Sequence, residues 1–113
     1  IDAAFHVHTE LGAGLLESIH ETCLAYELGK QGALVETQVL VPVVYDNLRL
    51  DAGYRLDMLV NKHLIVEIKA VDSLTEVHRA QIMTYLKLTK IRLGLLINFN
   101  TAHLKDGVHR VIN

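Results

Sequence analysis

The chain predicts an α/β fold, a sheet flanked by helices, and three observations predict it. Half of its 113 residues are hydrophobic and only one is proline, so it has the apolar content to fold. Apolar residues recur at helical spacing near both ends of the sequence, and β-branched runs lie between them. The resulting order is helix, helix, three or four strands, helix, strand, strand. The length suits one domain over residues 1–113 with one modest core.

Residues 1–11 read as the first helix, with Ile1, Ala4, Phe5, His8 and Leu11 on one stripe. Gly12-Ala-Gly14 breaks it. A second helix runs from Leu15 to Lys30, with Leu16, Ile19, Cys23 and Tyr26 on its apolar face and Gly29 and Gly32 bracketing its end. Leu34 to Tyr45 reads as a long strand in which Pro42 marks an edge or a bulge. Asp46-Asn47 is a turn signal, and Leu48 to Leu50 continues the sheet antiparallel. A hairpin fills Gly53 to Val71. Ser73 with Glu76 reads as a capping box ahead of a helix from Leu74 to Lys90, whose His78, Gln81 and Tyr85 share a face. Leu93 to Phe99 is a continuous apolar run, as in a strand buried on both faces, and Gly107 to Ile112 reads as a final edge strand.

Composition excludes several classes. A single cysteine, Cys23, permits no internal disulfide, which suits a reducing cytoplasm. No apolar run approaches the ~20 residues of a membrane span. No signal peptide is visible, and the chain opens mid-pattern at Ile1. The net charge of −2 weighs against tight, non-specific DNA binding. Seven histidines are scattered without a zinc-ligand spacing. Neither the serines nor Cys23 stand in a recognisable nucleophile arrangement.

The central hairpin carries the chemistry. Its two strands are aliphatic except for Arg55, Asp57, Glu67 and Lys69. A three-residue loop, Asn61-Lys62-His63, opposes Val60 to Leu64, Met58 to Val66 and Leu56 to Ile68, which makes one wholly apolar face. The other face then opposes Asp57 to Glu67 and Arg55 to Lys69. Like charges in direct cross-strand contact are destabilising. Two readings of that face follow from the residues alone. In one, Arg55 and Lys69 pair diagonally with the acids in a solvated checkerboard. In the other, a divalent cation sits between the carboxylates, since hard cations take carboxylate oxygens.

An Asp on one strand and Glu-x-Lys on the next resembles the core of the PD-(D/E)XK nucleases. The ordered set Gly14-Leu-Leu-Glu17, Gly53-Tyr-Arg-Leu-Asp57, Val66-Glu-Ile-Lys-Ala-Val71, Gln81-x-x-x-Tyr85 and Leu93-Gly-Leu-Leu-Ile-Asn-Phe-Asn100 is similar to one small bacterial branch, the GxxExxY proteins. The terminal Tyr of that branch's name is His20 here.

The resemblance implies a restriction-endonuclease-like mixed β-sheet flanked by helices. It implies Mg²⁺- or Mn²⁺-dependent hydrolysis of phosphodiester bonds in nucleic acid, DNA or RNA, with DNA expected ahead of RNA. Asp57 and Glu67 would hold the metal with the Ile68 carbonyl, and Glu17 would complete the acidic cluster. Without the resemblance, Glu17 reads as a helix-dipole charge. Lys69 would orient the attacking water or serve as general base, and Gln81 would position water or phosphate. Arg55, His78 and Tyr85 would face substrate, with His20 also lining the cleft. A homo-oligomer is expected, because so small a chain offers little surface to grip a duplex. The rival reading is a non-catalytic binding or assembly module on the same fold.

Overall fold

The computed structural model describes residues 1–113. Two helices, α1 (Asp2–Leu11) and α2 (Glu17–Lys30), precede three strands, β1 (Val35–Tyr45), β2 (Leu48–Val60) and β3 (Leu64–Lys69). Helix α3 (Glu76–Thr89) crosses to β4 (Leu93–Asn98), and a short 3₁₀ turn leads into β5 (Val108–Ile112). The five strands lie in sequence order, and β3 with β4 is the parallel pair. This is the mixed α/β sheet that the pattern of elements predicts. No helix is long and apolar enough to cross a membrane.

Each face of the sheet carries its own core. On one side Met58, Val60, Val66, Ile68 and Ile97 pack against Ala3, Ala4 and Val7 of α1 and Leu24 of α2. On the other, Leu59, Ile65 and Leu96 pack against Ile82 and Leu86 of α3. The second interface is close. A β-carbon added at Gly94 of β4 would lie 2.9 Å from the Ile82 side chain, so glycine is what lets α3 settle on the strand.

The β2–β3 turn forms as the polarity pattern predicts, with Val60 opposite Leu64, Leu59 opposite Ile65 and Met58 opposite Val66. Asn61 and Lys62 take left-handed conformations in the loop. The Asn61 side chain accepts a hydrogen bond from the Leu34 N–H at 2.8 Å, which ties the loop to the start of β1.

Beyond Met58 the expected ladder stops. Leu56 does not pair with Ile68, nor Arg55 with Lys69. Leu56 also changes sides, because it belongs to the α3 core whereas Met58 and Val60 belong to the α1–α2 core. β1 changes sides at the same place, with Val35 packed on one core and Val39 and Val41 on the other. Between Thr37↔Met58 and Val39↔Leu56, Gln38 stands opposite Asp57 with φ of 53°. One left-handed residue thus reverses which side of the sheet the following side chains occupy.

The helical stripes also differ from expectation. Ile1, Phe5 and Leu11 stay at least partly in solvent, and α1 buries its small face, Ala3, Ala4 and Val7. In α2 the expected stripe is largely solvent-facing, with Leu16 73% and Tyr26 66% exposed, while His20 and Leu24 point inward. The inward positions are those that meet Phe99 and the sheet, and a ring stacked on Phe99 fixes the choice. The α3 cap moves as well. Thr75, not Ser73, caps the helix, with its Oγ1 accepting from the His78 N–H and the His78 ring accepting from the Thr75 N–H.

Candidate active site

The kink at Gln38 places Asp57 where the β2–β3 ladder would otherwise continue. Its Oδ2 accepts the Ile68 N–H at 2.8 Å, and the Glu67 Oε2 accepts the Asp57 N–H at 2.8 Å. Two crossed side-chain bonds thereby replace main-chain ones. Glu67 is 3% exposed. Burial first, and then the neighbouring Asp57 charge, pushes its carboxyl up to about 8. Burial also raises Asp57, against the opposing pull of the Ile68 N–H and of Lys69.

Lys69 is half-buried and close enough for its charge to favour both carboxylates. It makes no ion pair within 4 Å, and neither does the exposed Arg55; the chain's ion pairs lie elsewhere. The checkerboard of diagonal pairs is therefore absent, and neither the buried Glu67 nor the half-buried Asp57 has a direct countercharge.

Helix α2 supplies the opposite wall. The Glu17 Oε2 accepts the Ala70 N–H at 3.2 Å, just past the end of β3. One turn on, Glu21 accepts the Gln38 Nε2 at 2.8 Å. Burial raises the Glu21 carboxyl, the Gln38 bond opposes that rise, and Asp57 and Glu17 add to it. A cleft of about 220 Å³ is lined by Glu17, Ser18, Glu21, Asp57 and Ile68. Glu21 and Gln38 were not singled out by the sequence. Glu21 had a signal, its i+4 spacing from Glu17, whereas a left-handed glutamine inside a strand has none.

From the α3 side, Tyr85 stacks on Tyr54 with ring centroids 4.6 Å apart. Burial, then the Glu67 and Asp57 charges, raise the Tyr85 hydroxyl, and the nearby Gln81 side chain opposes the rise. Gln81 is exposed to solvent on α3, one turn before Tyr85. His78 spends Nδ1 on the α3 cap and has Nε2 left for other partners. His20 does not line the cleft. It is fully buried, stacked on Phe99 at 4.4 Å, with neither ring nitrogen hydrogen-bonded.

Asp57 and Glu67 fit a divalent cation in kind: two hard oxygen donors, Glu67 buried and Asp57 half-buried, each with one oxygen outside the crossed bonds. No group of three or more His, Cys, Asp or Glu residues is gathered to hold an ion, so Glu17 does not join them in a compact triad. A donor set of two carboxylates suits an ion that keeps several of its waters, as Mg²⁺ does.

The family model described as the PD-(D/E)XK nuclease superfamily matches residues 1–111. No curated protein and no solved structure matches the chain. The matched span takes in every helix and all of the sheet but the last residue of β5. The fold is accordingly restriction-endonuclease-like, and the chain belongs to the PD-(D/E)XK nuclease superfamily.

Proposed function

We propose that this protein is a nuclease that hydrolyses phosphodiester bonds in nucleic acid, DNA rather than RNA, with Mg²⁺ or Mn²⁺, and that it is of the GxxExxY branch. The observation that carries the reading is Glu67, a buried carboxylate set against Asp57 with no cationic side chain within ion-pairing distance. Such a pair is costly in a metal-free protein, and a divalent ion removes the cost. The branch assignment rests on Gly14, Glu17 and the Gly53–Asp57 run, with the His20 ring taking a buried aromatic place against Phe99.

Asp57 and Glu67 would hold the ion, with the Ile68 carbonyl as a further donor. When bound, the metal would lower the pKa of a water and stabilise charge on the phosphate. Lys69 would orient the attacking water and offset charge on the phosphate as an ammonium or, as the neutral amine, accept the water's proton in the general-base role. Gln81, exposed on α3 one turn before Tyr85, would position water or a phosphate oxygen. Arg55 would reach phosphate from the exposed side of β2, and the free Nε2 of His78 would do so from α3. Glu17 would act from the α2 wall.

The test is a cleavage assay with Mg²⁺ and Mn²⁺ on single- and double-stranded DNA and RNA. Metal-dependent cutting lost in Asp57→Asn supports the reading. Metal binding with no cutting of any substrate would establish the binding or assembly module instead.

A further inference from the structure

β1 and β2 outrun the rest of the sheet. β3 pairs with β2 only from Met58 to Val60, whereas β1 and β2 stay paired out to Tyr45↔Leu48. Along the projecting arm, β2 has a strand on one side and none on the other. The apolar side chains of the arm stand in solvent, with Tyr45 75% and Val44 61% exposed on β1 and Leu48 58% on β2. A strand paired on one side only is a template for another strand. The arm's two edges differ. β1 carries Pro42 and a register break between Val41 and Val43, and both blunt an edge. From Leu48 to Ala52, β2 carries neither proline nor lysine.

The hydrogen-bonding parity of that free edge can be derived. The Asp46-Asn47 turn is closed by Tyr45↔Leu48. In a two-residue hairpin the closing pair is hydrogen-bonded, so Leu48 and Leu50 turn their N–H and C=O groups toward β1. Arg49 and Asp51 turn theirs outward.

The geometry points to a second copy of this chain as the occupant, its β2 pairing antiparallel with this β2 about a twofold axis at Leu50. Arg49 then faces the partner's Asp51, Asp51 faces the partner's Arg49, and Leu50 faces the partner's Leu50. Outward-pointing main-chain groups meet outward-pointing groups, and the Arg49–Asp51 pair, joined at 2.8 Å within each chain, meets its inverted copy so that opposite charges also meet across the seam. A one-residue slip would set outward groups against inward ones. A two-residue slip would set Arg49 against the partner's Arg49, or Asp51 against the partner's Asp51. One register therefore satisfies both constraints. Between residues 45 and 52, Arg49 stands against Asp46 and Asp51. The arm thus lacks the positive excess that a nucleic-acid backbone requires, while the same alternation suits self-pairing.

Sedimentation equilibrium on the full chain tests this. The native protein is expected to be a dimer at tens of micromolar. Leu50→Lys, which sets two ammonium groups across the axis, should give a monomer with an unchanged circular dichroism spectrum. Arg49→Asp and Asp51→Arg should each weaken the homodimer by roughly tenfold or more through repeated like-charge contacts. An equimolar mixture of those two variants restores opposite charges at the seam and should dimerise like the native chain. This mixing experiment also decides the matter should Leu50→Lys fail to fold. A native monomer at hundreds of micromolar, a dimer indifferent to Leu50→Lys, or a mixture no tighter than its separate variants would overturn the proposal.

Discussion

Asp57 and Glu67 each lend a carboxylate oxygen to the main chain of the opposite strand, at 2.8 Å in both directions. The crossed bonds hold two acids in a buried position that their charges oppose. In metal-free protein the consequence is a pH dependence of stability. The folded Glu67 carboxyl sits at about 8, above its ordinary 4.5. The unfolded chain therefore releases this proton first, and folding loses stability as pH rises from about 4.5 to 8. Thermal melts in EDTA should show the melting temperature falling from about pH 6.5, above which the buried His20 no longer opposes the trend, to pH 8, and Glu67→Gln should flatten the fall. A native curve that rises steadily to pH 8 would contradict the burial of an uncompensated Glu67.

Added metal should reverse that penalty. A ligand bound only by the folded state at a hundredfold excess over its dissociation constant stabilises by about 2.7 kcal/mol. Millimolar Mn²⁺ should raise the melting temperature of native protein and have much less effect on Asp57→Asn, as read by differential scanning fluorimetry. Equal shifts in the two proteins would remove Asp57 from the metal site.

His20 places an opposite slope at lower pH. Its ring is fully buried on Phe99 with both nitrogens unbonded, and burial, followed by the His8 charge, lowers its pKa below 6.5. The unfolded chain takes up this proton first as pH falls, so stability is lost below about 6.5. His20→Phe keeps an aromatic ring against Phe99 and removes two unsatisfied polar atoms. It should stabilise by about 1 kcal/mol and abolish the histidine share of the acid loss, measured by urea denaturation at pH 5 and 7. A destabilised His20→Phe would show that a nitrogen of His20 has a needed partner.

Much of the fold was legible because it depends on which residues are apolar. The three-residue loop at Asn61 follows from setting Val60 against Leu64 and Met58 against Val66, and the structure has that register. The acids on adjacent strands were legible for the same reason. The reversal of faces at Gln38 was not, since nothing in a glutamine's chemistry announces a left-handed conformation. With it went the side on which Leu56 packs and the approach of Glu21 to Asp57. The helix stripes misled because hydrophobic periodicity weights large side chains. The buried positions here are Ala3, Ala4 and a histidine, chosen by close approach and ring stacking. Ser73 and Thr75 both suit an N-cap, and only the reciprocal bond from His78 separates them.

Gln38 offers a test of the kink itself. Its φ of 53° is one that glycine adopts freely and a β-branched residue resists. Gln38→Ile should destabilise by about 1–3 kcal/mol, whereas Gln38→Gly should stay within about 1 kcal/mol of native. Equal stability losses in both variants, by chemical denaturation, would show that the side chain and not the backbone conformation matters there.

Lys69 separates an enzyme from a binding module. It stands on β3 two residues beyond Glu67, near both carboxylates yet in ion-pair contact with neither. A site built only to hold a cation gains nothing from an adjacent ammonium, since like charges repel. Phosphodiester hydrolysis does gain, because the water must be oriented and the pentavalent phosphate carries added negative charge. Lys69→Ala should therefore leave Mn²⁺ binding intact or slightly tighter, as read by calorimetry. It should slow cleavage by roughly the 10²–10⁴-fold typical of losing a proton-transfer group. Lys69→Arg should restore little of the lost rate, since a guanidinium holds its proton and has a different shape. Cleavage by Lys69→Ala at the native rate would show that the water is activated without this side chain, and the role assigned to Lys69 would fall even in an active nuclease.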